Sequence, residues 1–414
     1  GSPDGVAAAA KEIKRFERAS GARLPREKVL VFHQDWTAFE FNTAMPDYDL
    51  VVVGAGPGGY VAAIRAAQLG LRTAVVERDR PGGVCGNWGC IPSKAILSDA
   101  ALFADLKEGA AHGILADNLR VDFARVIARS REVADRQARG VEFLFRKNRI
   151  AYHEGTARLA GRGVIVQPDG GAAVRLGARH VLLATGSRER TLPGLAVDGQ
   201  VVLTSREALA RPTLPAAVAI VGGGAVGVEF AYVNASFGAH VTIVEMADTL
   251  LPGMDVDLGR ELARVFGRRG VEVLVGHRFE RLARSEAGAA LTVAGPGGER
   301  TVAAECVLVA VGREPLTAAL GLEEAGVRTE HGFVVTDPAM RTTVDGVWAI
   351  GDLVGPLLLA HAASAQGVLA VETMAGVRAD GRGIDPTRIP LCVYCRPEVA
   401  AVGLTEAEAR AQGR

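Results

Sequence analysis

The sequence predicts an α/β protein with two Rossmann-like units, and two observations carry that prediction. A strand, glycine turn, helix and second strand occur twice, over Asp49–Glu77 and again over Val218–Glu245. Each turn reads G-x-G-x-x-G directly after an apolar strand, and each second strand ends on a glutamate. The copies lie about 170 residues apart, too far for one βαβ unit, so they belong to separate domains.

Residues 1–46 differ in pattern from the rest of the chain. Lys11–Arg18 reads as a charged helical stretch, Val29–Phe41 mixes apolar and polar residues without a clean period, and the segment stays unassigned. The first copy begins with a strand over Asp49–Gly54, continues in a helix through Leu69 and closes on a strand over Thr73–Glu77. The second has a strand over Val218–Gly222, a helix through Phe237 and a strand over His240–Glu245. Turn formers such as Pro193-Gly194 and Arg211-Pro212 separate the two.

Composition excludes some classes of function. Lysine plus arginine balance aspartate plus glutamate at 47 each, so no basic surplus points to nucleic acid or an anionic membrane. Leu353–Val371 carries no formal charge but contains Pro356, His361, Ser364 and Gln366, and reads as a buried loop plus core helix rather than a membrane span. Five cysteines in 414 residues cannot build a disulfide framework, so a reducing, cytoplasmic setting is expected. The chain opens on Gly1-Ser2 without a methionine, which leaves a processed leader open. Lysines are few, so Lys94 stands out.

Gly54, Gly56 and Gly59 fill the three glycine places of the first turn. They allow backbone N–H groups to approach a pyrophosphate at a helix N-terminus, while Glu77 ends the second strand where a ribose hydroxyl would sit. Gly222, Gly224, Gly227 and Glu245 repeat this. A carboxylate at 245 favours the free 2′-hydroxyl of NAD over the 2′-phosphate of NADP, and Met246–Leu251 offers no arginine to a phosphate. Two dinucleotide sites in one chain imply electron passage between a nicotinamide and a flavin.

Cys85 and Cys90 lie in Gly82–Lys94, with Gly86 and Gly89 between them and Pro92 after them. In a regular helix five residues rise about 7.5 Å, beyond the ~7 Å limit on the Cα separation of a disulfide, so a bridge needs a bend. The two glycines permit one, and Pro92 suits the first turn of a helix that would leave Cys90 at a positive end favouring a thiolate. Two structural thiols are the alternative. Cys392 and Cys395 have a C-x-x-C spacing in an apolar, strand-like stretch, which would point them to opposite faces; these and Cys306 are read as packing residues, with no convincing zinc spacing.

The run Gly-Gly-x-Cys-x-Asn-x-Gly-Cys-Ile-Pro-Ser-Lys resembles the pyridine nucleotide-disulfide oxidoreductase family. The resemblance extends from about residue 48 to the last residue, through Ala184-Thr185-Gly186, Val311-Gly312-Arg313, Ala349–Asp352, Leu359-Ala360-His361 and Arg396–Glu406. Within the family the run is most similar to members that oxidise protein-bound dihydrolipoyl groups with NAD through a disulfide and FAD. The resemblance implies that Cys85 exchanges with the substrate, that Cys90 faces the flavin, and that Lys94, paired with Glu229, sits by its N5. It places Asp352 on the ribityl chain, Ala360 and His361 at the start of a helix aimed at the ring, and Ala157 at the adenine. Thr185, Gly186 and Gly312 join the cofactor-binding set.

The domain order so implied is FAD binding with the redox dithiol over 47–195, NAD binding over 196–316, a return to the first domain over 317–386, and the start of a C-terminal α+β dimerisation domain over 387–414. Family members end in that domain with a His-Glu dyad serving the partner's dithiol. The sequence reaches Arg414 ahead of any such motif, and none of its eight histidines stands in that context. A fragment of a homodimer and a protein without that acid/base group both remain open. The alternative activities are reduction of mercuric ion, reduction of another disulfide by NAD(P)H, or a flavin-binding subunit with weak turnover. The expected partner is a lipoyl-bearing protein or a small disulfide or dithiol.

Overall fold

The structure, a computed structural model, describes residues 29–32, 38–41, 46–285, 288–378 and 382–414. The helical stretch expected at Lys11–Arg18 lies outside the described residues. Val29–Phe32 (β1) and Ala38–Phe41 (β2) pair antiparallel, so the stretch without a clean period contains two paired strands. The pair belongs to a unit distinct from Tyr48–Arg414.

The larger unit opens with Tyr48–Val53 (β3), Pro57–Gln68 (α1) and Thr73–Glu77 (β4), within a residue or two of the sequence reading. Gly83–Trp88 (α2), Cys90–Glu108 (α3) and Phe123–Lys147 (α4) then cross to Ala151–Glu154 (β5). Thr156–Leu159 (β6), Gly163–Gln167 (β7) and Val174–Leu183 (β8) form an antiparallel meander. The later half of β8 leaves the meander and pairs parallel with β3, giving the order β5-β4-β3-β8. All five residues of β4 are buried, as a strand covered on both faces requires.

After Ser187–Glu189 (β9), the second copy runs through Val202–Leu203 (β10), Ala217–Val221 (β11), Ala225–Phe237 (α5), His240–Val244 (β12), Val256–Arg268 (α6) and Glu272–Leu274 (β13). A second meander, Arg278–Ser285 (β14), Gly288–Gly295 (β15) and Gly298–Ala304 (β16), leads into Cys306–Val309 (β17). The parallel order is β10-β17-β11-β12-β13. Both units therefore place the meander between the outer strand and the strand beside the fingerprint strand. They differ in what joins their second and third parallel strands: α2, α3 and α4 in the first, α6 alone in the second.

Arg313–Pro315 (β18) pairs antiparallel with β9, so the chain leaves and re-enters the first unit along one ribbon. Val347–Ala349 (β19) then adds parallel to β8, and Ala360–Met374 (α7) packs on α1, where Arg65 and Glu372 pair at 2.7 Å. Leu391–Val393 (β20), Val399–Ala401 (β21) and Glu406–Ala411 (α8) end the chain. Ile96, Leu97 and Ala100 of α3 share an apolar cluster with Phe230, Val233 and Phe237 of α5 and with Val393 and Val399. That cluster brings the helix after the dithiol against the helix of the second fingerprint. No helix among the described residues is long and apolar enough to cross a membrane.

Candidate active site

The two glycine turns are held by the same contacts. A Cβ on Gly59 would stand 1.9 Å from the Gly54 carbonyl oxygen, and one on Gly227 at the same distance from that of Gly222. These third glycines let each helix press onto the end of its strand. The second glycines are different. Gly56 (φ −68°, ψ −179°) and Gly224 (φ −74°, ψ −175°) have backbones that any residue adopts. A Cβ on Gly56 would meet only the Gly83 Cα at 4.0 Å, and on Gly224 nothing within 4 Å. Neither strain nor protein packing demands glycine there, so the open space fits a pyrophosphate lying against the backbone. Neither α1 nor α5 has a side-chain cap or an acid in its first turn, which leaves their N–H groups directed at that space.

Glu77 and Glu245 do more than the sequence reading assigned them. Glu77 Oε2 accepts from Ala55 N at 2.7 Å, and its Oε1 from Arg78 and Asp79 N at 2.9 Å. Glu245 Oε2 accepts from Gly223 N at 2.6 Å and Oε1 from Ala247 N at 2.7 Å. Each carboxylate braces its glycine turn from the neighbouring strand, and Glu77 Oε2 and both oxygens of Glu245 keep a further lone pair for a ribose hydroxyl.

Cys85 lies in α2, Cys90 is the first residue of α3, and the two form a disulfide with Cα atoms 4.7 Å apart. The chain bends between the helices at Gly89 (φ −149°, ψ −113°). Gly86 has another reason: it lies within α2, where a Cβ would stand 2.3 Å from Gln137 Oε1 of α4. The expectation that Gly86 serves the bend is therefore corrected; it allows α4 to pack close behind the disulfide.

One turn after Cys90, Lys94 Nζ donates to both carboxylate oxygens of Glu229 in α5, each at 2.9 Å. Glu229 Oε1 also accepts from Tyr394 N at 3.0 Å. Asp352 accepts from Ser187 Oγ at 2.5 Å, and Arg313 Nε donates to the same hydroxyl at 2.7 Å. Burial pushes the Asp352 carboxyl above its usual range, while Ser187 and Arg313 oppose the shift. Thr185 Oγ1 donates to Leu316 O at 2.9 Å, and Gly186 (φ 71°) and Gly312 (φ 103°) lie in the two passages between the units. Ala157 is buried in β6, Ala360 begins α7, and His361 Nε2 lies 2.9 Å from Pro390 O.

Sequence reasoning missed Tyr394, Ser187 and Gln137, whose places depend on contacts between distant segments. It also misplaced Cys392, which is exposed and so is not a packing residue; only residues 391–393 form a strand, and Cys395 lies beyond it. Cys306 and Cys395 are buried, and burial pushes their thiols up to about 11 and about 12. Among the described residues no group of histidines, cysteines and carboxylates could hold a metal.

The profile of the pyridine nucleotide-disulphide oxidoreductases matches residues 48–367, about three quarters of the chain. The chain belongs to that family. The dihydrolipoyl dehydrogenase of Chlorobaculum tepidum is 44% identical over 368 residues, 88% of this chain and 78% of the relative. Among solved structures of similar proteins, LpdA from Mycobacterium tuberculosis superposes with a TM-score of 0.81 at 29% identity, covering 88% of this chain and 80% of that one. The HOCl-induced flavoprotein disulfide reductase RclA from Escherichia coli, as its Cu(II) complex, does so with a TM-score of 0.77 at 28% identity, covering 89% and 80%. The family's α/β fold and its disulfide chemistry are thus those of this chain.

The two kinds of glycine predict opposite variants. Gly56→Ala leaves the denaturation midpoint of the flavin-free protein unchanged and lowers flavin retention at least about tenfold. Gly59→Ala drives a methyl into a carbonyl and destabilises the fold by about 3 kcal/mol or more. Urea denaturation with a flavin content assay checks both; equal destabilisation by the two would show that Gly56 is not kept open for a ligand.

Proposed function

We propose that this chain oxidises protein-bound dihydrolipoyl groups and delivers the electrons to NAD through FAD. The observation that carries the proposal is the Cys85–Cys90 disulfide at the N-terminus of α3, with Lys94 one turn on and paired to Glu229 of the second fingerprint helix. The glycine cradles support FAD in the first unit and NAD in the second. In this reading 47–195 and 317–386 form the FAD-binding domain, 196–316 the NAD-binding domain and 387–414 the beginning of a dimerisation domain in a cytoplasmic homodimer.

One thiolate of the dihydrolipoyl group attacks Cys85 Sγ and displaces Cys90 as a thiolate, which the N-terminus of α3 favours. The second substrate sulfur then displaces Cys85, so the lipoyl disulfide closes and the protein disulfide has gained two electrons. Bound FAD supplies the two-electron link from the Cys90 thiolate to NAD. With FAD bound, Lys94 would hold a positive charge beside the flavin N5, Asp352 would accept from the ribityl hydroxyls, Thr185, Gly186 and Gly312 would line the cofactor passages, and Ala157 would meet the adenine through its backbone. Ala360 and His361 would present the N-terminus of α7 to the ring.

Cys85→Ser is expected to reduce dihydrolipoamide oxidation in the whole protein by at least about 10³-fold while leaving reduction of the flavin by NADH within about twofold. A stopped-flow assay of both half-reactions checks this, and dihydrolipoamide oxidation that survives the substitution would remove Cys85 from the reaction. NADH is expected to reduce the flavin at about 5- to 150-fold lower concentration than NADPH, the range of 1 to 3 kcal/mol for an unmatched buried polar group. Because Glu245 also braces Gly223 and Ala247, Glu245→Ala with Met246→Arg should weaken both nucleotides and still move their ratio toward NADPH. An unchanged ratio would contradict the role of Glu245.

A further inference from the structure

Leu391–Cys395 stands out in the sequence for its two cysteines, yet the residue there that touches the site is Tyr394. The Lys94 ammonium lies 4.9 Å from the centroid of the Tyr394 ring, with the Glu229 carboxylate as its other partner, and the Tyr394 backbone N–H donates to that same carboxylate. We propose that Tyr394 is a positioning residue: its ring holds the Lys94 ammonium in place and through it sets the reduction potential of the bound flavin. The inference rests on the reading of Lys94 as the cation beside the flavin.

The ring acts by confinement. A lysine has four rotatable side-chain bonds and a compact, strongly hydrated charge. The Lys94 side chain is 36% exposed, so without the ring its ammonium can turn outward to water while keeping contact with one Glu229 oxygen. An aromatic face adds its own attraction for the cation to that of the carboxylate. The ring can act as a fixed wall because its backbone is tied on several sides. Pro390 O lies 2.9 Å from His361 Nε2, Arg396 pairs with Asp105 of α3, and Val393, Cys395 and Val399 are buried in the cluster that joins α3 to α5. Tyr394 itself is 47% exposed, so replacing its side chain leaves the apolar cluster intact. The N–H bond to Glu229 is a backbone bond and survives any substitution except proline, so variants at 394 change the ring contact alone.

A positive charge beside the flavin favours its electron-rich reduced form, and loosening that charge lowers the potential. A cation–π contact at an exposed site corresponds to about a two- to fivefold change in the equilibrium, or about 10 to 20 mV at about 30 mV per tenfold for a two-electron couple. The test is the midpoint potential of the flavin in the purified, flavin-loaded protein, measured for the wild type, Tyr394→Leu, Tyr394→Phe and Lys94→Gln. Tyr394→Leu is expected to fall by that amount, Tyr394→Phe to stay at the wild-type value because it keeps the ring, and Lys94→Gln to fall furthest. If Tyr394→Leu matches the wild type while Lys94→Gln falls, or if Phe and Leu fall equally, the positioning role is overturned and the reading of Lys94 stands. If Lys94→Gln does not move the potential, the reading of Lys94 fails and the inference with it. Should Tyr394→Leu retain no flavin, Tyr394→Met answers the same question with an unbranched side chain.

Discussion

The structure turns on the ion pair between Lys94 of α3 and Glu229 of α5. The Glu229 side chain is 8% exposed, in a helix most of whose residues are buried, and Lys94 is 36% exposed. At the edge of the protein the attraction between two such charges is partly offset by water. What fixes the pair is the cost of leaving the glutamate alone, several kcal/mol for an uncompensated buried carboxylate. That cost holds α3 against α5, and the disulfide at the N-terminus of α3 thereby keeps a fixed place relative to both dinucleotide cradles. An arginine at 94 would bring a planar fork in place of a point charge.

The rest of the architecture brings those two helices together. Both units use one plan, a parallel sheet whose fingerprint strand ends at a glycine turn, with an antiparallel meander set into the same connection. The departure from that plan marks the site. Where the second unit crosses with α6 alone, the first inserts α2, α3 and α4, so the disulfide emerges beside its own cradle and α3 reaches across to the other. Close contacts keep the inserted helices compact, with Gly86 of α2 lying directly under Gln137 of α4.

Much of this was legible in the sequence because it depends on local chemistry. The fingerprint strands end within a residue of where their apolar runs stop, since a strand buried on both faces admits no polar interruption. The bend between Cys85 and Cys90 followed from disulfide geometry, although only one of the two glycines supplies it. The pairing of Val29–Phe32 with Ala38–Phe41 was not legible, because the segment lacks the alternation that marks a half-buried sheet. Tyr394 and Ser187 were missed for a different reason. Each reaches the site from a segment more than 100 residues from its partner, and nothing in the flanking sequence signals that contact.

The central claim is that electrons enter and leave the Cys85–Cys90 disulfide by way of a bound flavin. Anaerobic titration of the purified, flavin-loaded protein with NADH, followed by alkylation and mapping of the labelled peptides, tests it most directly. The account predicts that labelling of Cys85 and Cys90 rises from none to both as NADH is added, with Cys306 and Cys395 unlabelled throughout in the native protein. Full bleaching of the flavin with Cys85 and Cys90 still joined would contradict it.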